Sequence, residues 1–173
     1  MKKIWILAAV AALLMTITAC GAGDVGGVSS EAGSSQGEES SAPSVLQSDV
    51  EDNLQGLETY LVGNELISGE PQEMRADVIG AKSGVRYQFS YNGKNNVTVE
   101  LYEYEPDNVN DTAQEVLDSV KSSGEFSLLG QQIPAILSDN GKYLMIYKDT
   151  VDDDENKAYA DTITKEFKAF KNS

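Results

Sequence analysis

The hydrophobic and polar positions divide the chain into three parts. Apolar residues make up nearly all of the uncharged stretch 4–17, which follows Lys2 and Lys3. Half of residues 21–48 are Gly or Ser, and this part has four acidic residues and no Lys or Arg. From residue 49 onward, apolar residues recur at helical or strand spacing. The pattern predicts a leader over residues 1–19, a flexible tether over 20–48 and one folded domain over 49–173.

Two helices are predicted in the first third of this domain. The sequence Ser48–Glu51 has the form of a capping box, which satisfies free N–H groups at a helix start. The apolar positions nearby have helical spacing: Val50, Leu54, Leu57 and Leu61. This helix is predicted to end near Val62. Pro71 favours a helix start and Gly84 a stop, so a second, shorter helix is predicted over residues 71–82.

Two more helices are predicted near the middle and at the end of the domain. The first begins at Asn110 or Asp111, ends at Gly124 and has an apolar stripe of Ala113, Val116, Leu117 and Val120. The last runs from the acidic residues 152–155 to the lysines near its end, a charge order that matches the helix dipole. Its apolar face consists of Tyr159, Ile163, Phe167 and Phe170.

Strict alternation of apolar and polar residues predicts two hairpins. Residues 85–91 and 97–101 alternate on either side of Asn92-Gly93-Lys94. Residues 133–138 and 142–148 flank Asn140-Gly141, a pair that favours a type I′ turn. Pro134 cannot donate a ladder hydrogen bond, so its strand is predicted at an edge. The expected fold is α+β, with an antiparallel sheet of four or five strands and helices packed mainly on one face.

The leader ends in Ile17-Thr18-Ala19-Cys20, which looks like the lipobox of bacterial lipoproteins. The charged start and apolar centre are typical of a signal peptide. The apolar stretch is shorter than the roughly 20 residues that a helix needs to cross a bilayer. The sequence predicts cleavage before Cys20, a lipid on its thiol and a domain held on the extracytoplasmic face of the cell membrane. The alternative is an ordinary cleavage site beside an incidental cysteine.

The domain resembles a group of small uncharacterised lipoproteins of Gram-positive Firmicutes. The resemblance rests on several short sequences: Ile79-Gly80-Ala81 with Gly84, Val99–Tyr104, Leu129-Gly130, Pro134-Ala135-Ile136, and a closing helix with Phe167 and Phe170. It implies the same fold and location. It implies no activity, because the group has none assigned.

Composition excludes several classes of function. The chain has no histidine, and its one cysteine is Cys20, so neither a Ser-His-Asp triad, a Cys-His pair nor a zinc site can be assembled. An intramolecular disulfide is likewise impossible. Asp and Glu number 28 against 13 Lys and Arg, a balance that repels nucleic acids. The sequence contains no glycine-rich phosphate-binding motif, and no cofactor is expected.

Two acidic clusters are candidates for chemistry. Glu100, Glu103 and Glu105 lie within one predicted strand, where alternation places Glu103 and Glu105 on one face and Glu100 on the other. Paired carboxylates can cleave glycans without histidine. Asp149 and the sequence Asp152–Asn156 offer oxygen ligands for calcium, but the spacing lacks the pattern of an EF-hand loop and helix capping explains it. A solvated surface and a helix cap are therefore preferred, and no metal site is predicted.

Four of the eight tyrosines are candidates for binding. Tyr102 and Tyr104 share the face opposite Val97, Val99 and Leu101, and Tyr143 and Tyr147 share one face of their own strand. If helices cover only one side of the sheet, some of these rings form a platform on the other side. The alternative is that they pack across the strands, where tyrosine is common.

The sequence therefore predicts a membrane-anchored extracytoplasmic lipoprotein with a non-enzymatic binding domain. The expected partners are the membrane, through the lipid on Cys20, and an envelope protein, peptide or glycan as the ligand. Nucleic acid is excluded as a partner. The alternative function is a histidine-free hydrolase of envelope glycans that uses paired carboxylates.

Overall fold

The computed structural model describes residues 44–172, which belong to one compact unit. The predicted leader, Cys20 and nearly all of the tether lie outside the described residues. The domain contains the helices α1 (Leu54–Gly63), α2 (Asp111–Ser123) and α3 (Asp154–Ala169), and two 3₁₀ turns at Gln47–Asp49 and Ala76–Ile79. Its strands are β1 (Gln72–Glu73), β2 (Ser83–Phe89), β3 (Val97–Glu103), β4 (Glu125–Leu128), β5 (Gln131–Pro134), β6 (Ile136–Leu137) and β7 (Tyr143–Asp149).

Five strands form an antiparallel sheet in the order β1-β2-β3-β7-β6, and β4 and β5 form a separate two-stranded hairpin. The α+β fold expected from the sequence is confirmed. The first predicted hairpin is also confirmed, with Ser83 opposite Glu103 and Phe89 opposite Val97. The centre of the sheet is therefore β3, which has a full-length neighbour on either side.

The second predicted hairpin differs from the structure. The predicted strand over residues 133–138 is divided at Ala135, whose N–H donates to the carbonyl of Gly124. Residues before this point pair with β4, and only Ile136 and Leu137 pair with β7. The type I′ turn is wrong, because Gly141 has a positive φ and Asn140 does not. Instead, the Asn140 side chain accepts a hydrogen bond from the Lys142 N–H at 3.0 Å.

The two predicted helices of the first third differ from the structure at several points. α1 begins at Leu54, where the Asn53 side chain caps the Gly56 N–H, and not at the Ser48–Glu51 sequence. The helix predicted over residues 71–82 is wrong. Gln72 and Glu73 pair with β2, and a single 3₁₀ turn follows at Ala76–Ile79. The backbone N–H of Lys82 donates to the backbone carbonyl of Glu103, which continues the pairing of β2 with β3 by one residue towards this turn.

The two later helices are confirmed with their caps. The Asn110 side chain accepts from the Ala113 N–H at the start of α2, and Gly124 ends that helix with a φ of 75°. The Asp153 side chain caps α3 by accepting from the Asn156 N–H at 2.8 Å. In both helices the cap satisfies an N–H group that has no partner within the helix.

Hydrophobic clusters cover both faces of the sheet. We call one face the closed face: Val97, Val99 and Leu101 of β3 pack there with α1 and α3. We call the other the groove face: Tyr102 and Leu144 pack there with α2, the turn at Ala76–Ile79 and the β4–β5 hairpin. Two of the three helices thus lie on one face. Both clusters lie within residues 44–172, so this part of the chain has the core that it needs to fold on its own.

Candidate functional site

A groove opens on the groove face between the turn at Ala76–Ile79, the β4–β5 hairpin and the main sheet. We call it the hairpin groove. Its volume is about 330 Å³, and most of its lining is apolar. The apolar side chains are Met74, Val78, Ile79, Phe126, Leu128, Ile133 and Ile146, and the polar ones are Arg75, Arg86, Glu100 and Tyr102. A cavity of this size with few polar groups is typical of small-molecule sites.

The floor of the groove contains an ion pair between neighbouring strands. Arg86 in β2 lies directly opposite Glu100 in β3. The Arg86 Nε and Nη2 atoms donate to Glu100 Oε1 at 2.9 and 2.5 Å. The Glu100 side chain is 13% exposed and that of Arg86 is 40% exposed, so the carboxylate is the more deeply buried partner. Such pairing is what a carboxylate in apolar surroundings needs.

Tyr102 holds the other oxygen of the same carboxylate. Its hydroxyl donates to Glu100 Oε2 at 2.8 Å, and burial, followed by this hydrogen bond, raises the pKa of Tyr102 well above its usual value. Its ring lies beside Gly84 on β2, where a Cβ atom would come within 2.5 Å of the ring. A side chain at position 84 would displace the ring. Glycine at this position therefore allows Tyr102 to reach and orient Glu100.

The β4–β5 hairpin forms one wall of the groove, with Phe126 opposite Ile133 and Leu128 opposite Gln131. Leu129 and Gly130 connect the two strands, and both have positive φ, at 52° and 80°. Leu129 is 97% exposed at the tip, and Val78 on the opposite wall is 48% exposed. The part of the rim formed by these two residues is therefore apolar and accessible to solvent.

Arg75 lies at the other side of the groove and is 82% exposed. Its Nη2 atom is 3.0 Å from Asp77 Oδ2, and this hydrogen bond raises the pKa of Arg75 and lowers that of Asp77. Arg75 and Arg86 are the only arginines of the chain. Both arginines border this one groove, in a protein with a large excess of acidic residues.

The structure does not form the predicted tyrosine platform. Tyr102 and Tyr104 share the groove face as expected, but α2 and its neighbours cover them, and both are buried. Tyr143 is fully buried on the closed face, and Tyr147 is half-buried there. The prediction required one open face of the sheet, and that premise is wrong. Of the four, Tyr102 borders the hairpin groove.

Of the three glutamates, Glu103 and Glu105 share a partner, and Glu100 lies apart from both. Glu103 is buried and accepts a hydrogen bond from the Leu54 N–H at 3.1 Å. Lys82 lies 3.6 Å from Glu103 and 3.3 Å from Glu105, and its pKa is raised first by its hydrogen bond to Glu105. Glu100 faces the groove on the other side of the sheet. Alternation along β3 therefore separates Glu100 from the other two, as the sequence predicts.

The acidic residues that could offer oxygen ligands for calcium have structural partners. Asp149 accepts hydrogen bonds from Asn96 at 2.8 Å and Asn156 at 2.6 Å. Asp153 caps α3, and Asp152 lies 2.7 Å from the Lys157 ammonium. Within residues 44–172, no group of three or more Asp, Glu, Cys or His side chains is placed to hold a metal ion.

A search of protein-family models, curated proteins and solved structures found no match to this chain. In the part of the chain that the structure describes, none of the helices has both the length and the apolar character needed to cross a bilayer.

Most of the groove could not be recognised from the sequence. Glu100 and Tyr102 were candidates there, but Arg75, Arg86 and the apolar walls were not. One signal was present: β2 and β3 flank a short loop, so counting outward from the loop places Arg86 opposite Glu100. The walls gave no such signal, because they come from the turn at Ala76–Ile79 and from a hairpin that leaves the main sheet. What this arrangement can do chemically is bind an apolar body beside oriented guanidinium groups.

Proposed function

We propose that this chain is a membrane-anchored extracytoplasmic lipoprotein whose domain binds a ligand in the hairpin groove and does not catalyse a reaction. The lipobox sequence at residues 17–20 supports the anchor. The Gly- and Ser-rich tether supports display away from the membrane, because its acidic residues are repelled by anionic headgroups. An extracytoplasmic domain on such a tether is free to meet ligands in the envelope.

The observation on which the binding role rests is the groove itself. It is an apolar cavity of about 330 Å³ with an oriented ion pair at its floor. Both oxygens of Glu100 accept hydrogen bonds, from Arg86 and from Tyr102. A carboxylate held in this way is suited to orienting Arg86 and less suited to exchanging protons with a substrate. This favours binding over hydrolysis.

The anchor is tested by replacing Cys20 with Ala in the full chain expressed in bacteria. We expect incorporation of a labelled fatty acid to be lost and uncleaved precursor to accumulate, because acylation of the thiol precedes cleavage at a lipobox. Ser30→Ala, in the tether, is the matched control and should be labelled and cleaved normally. Labelling that survives Cys20→Ala would contradict the proposed anchor.

The groove is tested separately with a neutral apolar fluorescent probe such as N-phenyl-1-naphthylamine, added to the domain from residue 44 onward. We expect saturable binding at one site. Ile133→Trp should abolish it by filling the groove, because Ile133 lines the wall and is only half-buried. Lys165→Trp, on the exposed side of α3, is the control. Equal binding by both variants would place the probe elsewhere and contradict the proposed site.

A further inference from the structure

We propose that the ligand of the hairpin groove is a small apolar monocarboxylate, a molecule with an aliphatic or aromatic body and one carboxylate group. This inference rests on the proposed binding function and names the chemistry of the ligand. It depends on three properties of the groove: the hydrogen-bonding capacity left at its floor, the nature of its walls, and its charge relative to the rest of the domain.

After the Arg86–Glu100 pair has formed, the floor of the groove can still donate hydrogen bonds to a ligand. A guanidinium group has five N–H bonds, and Arg86 directs its Nε and Nη2 groups at Glu100. Within residues 44–172, no partner occupies the remaining N–H bonds of Arg86, and the side chain is 40% exposed. Glu100, by contrast, already accepts hydrogen bonds at both of its oxygens. A ligand that accepts hydrogen bonds therefore fits the floor better than one that donates them.

The second arginine adds to this preference. Arg75 borders the same groove, is 82% exposed and is held near it by Asp77. Guanidinium groups bind carboxylates through parallel hydrogen bonds and do so more strongly than neutral donors. The domain is otherwise rich in acidic residues, which repel anions. Both arginines are paired with carboxylates, Arg75 with Asp77 and Arg86 with Glu100. Their guanidinium groups have more donors than these pairs use, so an anionic group can be bound at this groove.

The walls exclude a ligand with many polar groups. Seven apolar side chains line the groove, and its polar side chains are those of the two arginines, Glu100 and Tyr102. A peptide brings one N–H and one C=O per residue, and burying these without partners is unfavourable. An acyl chain or an aromatic ring has no such requirement. The groove therefore favours a carboxylate on a hydrocarbon body over a peptide segment.

The test is a binding series with the domain from residue 44 onward, measured by displacement of the neutral probe. The ligands are butanoate, hexanoate, octanoate and decanoate, the matched primary alcohols, and 3-phenylpropanoate as the aromatic representative, all below their micelle concentrations. We expect each added methylene to strengthen binding roughly threefold to fourfold until the groove is full. We expect each carboxylate to bind about tenfold more tightly than its alcohol.

Variants of the two arginines assign this preference to the groove. Arg75→Gln removes one exposed charge, and Arg86→Lys keeps the charge opposite Glu100 but removes the fork of N–H donors. Each should reduce the preference for carboxylate over alcohol severalfold while the alcohols bind as before. Lys94→Gln, in the exposed loop between β2 and β3, removes a charge far from the groove and should change nothing.

Three outcomes would overturn this inference. One is that the alcohols bind as tightly as the carboxylates. Another is that both arginine variants retain the preference for carboxylate over alcohol. A peptide with blocked ends and apolar side chains that outcompetes octanoate would also overturn it. In each case continued binding of the neutral probe would leave the proposed groove intact, whereas loss of probe binding to the unmodified domain would remove the proposed function as well.

Discussion

The closed face and the groove face are the two sides of the same long strands, β2, β3 and β7, but different elements cover them. On the closed face, the helices α1 and α3 lie over the sheet, and Leu101, Tyr143 and Met145 are completely buried. On the groove face, a short turn, α2 and a separate hairpin leave Ile133 and Ile146 only half-buried. The hairpin groove lies between the turn and the hairpin, where the cover of this face is incomplete. The domain thus separates its main core from its candidate site by the thickness of one sheet.

The largest effect is expected from a comparison of two single substitutions at neighbouring positions of β7. Met145→Ala removes a fully buried side chain from the closed face and should lower the free energy of unfolding by about 2–5 kcal/mol. Ile146→Ala removes a half-buried side chain from the groove face and should cost roughly 1 kcal/mol. Urea denaturation of both variants measures the difference. Equal losses would contradict the division of stability between the faces.

The alternation of side chains along β3 could be predicted from the sequence, whereas the elements that cover each face could not. The spacing of Val97, Val99 and Leu101 correctly separated them from Tyr102 and Glu100. It could not reveal what covers each face, because alternation shows which side chains lie together and not which helix packs on them. The tyrosine platform was wrong for this reason, since α2 packs on the face that was expected to be open.

The short elements of the domain were the second limit on prediction from the sequence. The turn at Ala76–Ile79 buries only Ala76 and Ile79, too few positions to show a period, and β1 contains two residues. The hairpin of β4 and β5 leaves the main sheet at Ala135, where a hydrogen bond to Gly124 decides the path of the chain. These elements form the walls of the groove. The candidate site was therefore harder to predict than the core, whose helices and long strands have clear periods.

A smaller effect is expected at the polar end of the closed face, where Asp149 joins β7 to α3. Burial acts to raise the pKa of Asp149, but hydrogen bonds from the Val151 N–H, Asn156 and Asn96 outweigh it and lower the pKa below its usual value of 3.8. A carboxyl group with a lowered pKa in the folded state stabilises the fold fully above its pKa in the unfolded state. That stabilisation is lost as the pH falls through the lower, folded-state value.

Asp149→Asn should therefore lower the free energy of unfolding by about 1 kcal/mol at pH 7, because it weakens hydrogen bonds to a charged acceptor. The difference from the unmodified domain should shrink as the pH falls below about 4. Thermal denaturation at pH 7, 5 and 3 measures this trend. Asp107→Asn, in an exposed loop, is the control and should have little effect at any pH. A difference that stays constant down to pH 3 would contradict the role assigned to the Asp149 carboxylate.

The smallest effect, and one of opposite sign, is expected at the tip of the hairpin that walls the groove. Leu129 has a φ of 52° and is 97% exposed, so it adopts an unfavourable backbone conformation without burying its side chain in return. Leu129→Asn should raise the free energy of unfolding by roughly 0.5–1 kcal/mol, because Asn followed by Gly130 suits a turn with two positive φ angles. Leu128→Asn, one residue earlier, should instead destabilise the domain and weaken probe binding, because Leu128 lines the groove. Denaturation and probe titration of the two variants together test whether the hairpin wall ends at Leu128. Probe binding that falls with Leu129→Asn as well would extend the binding surface to the exposed tip.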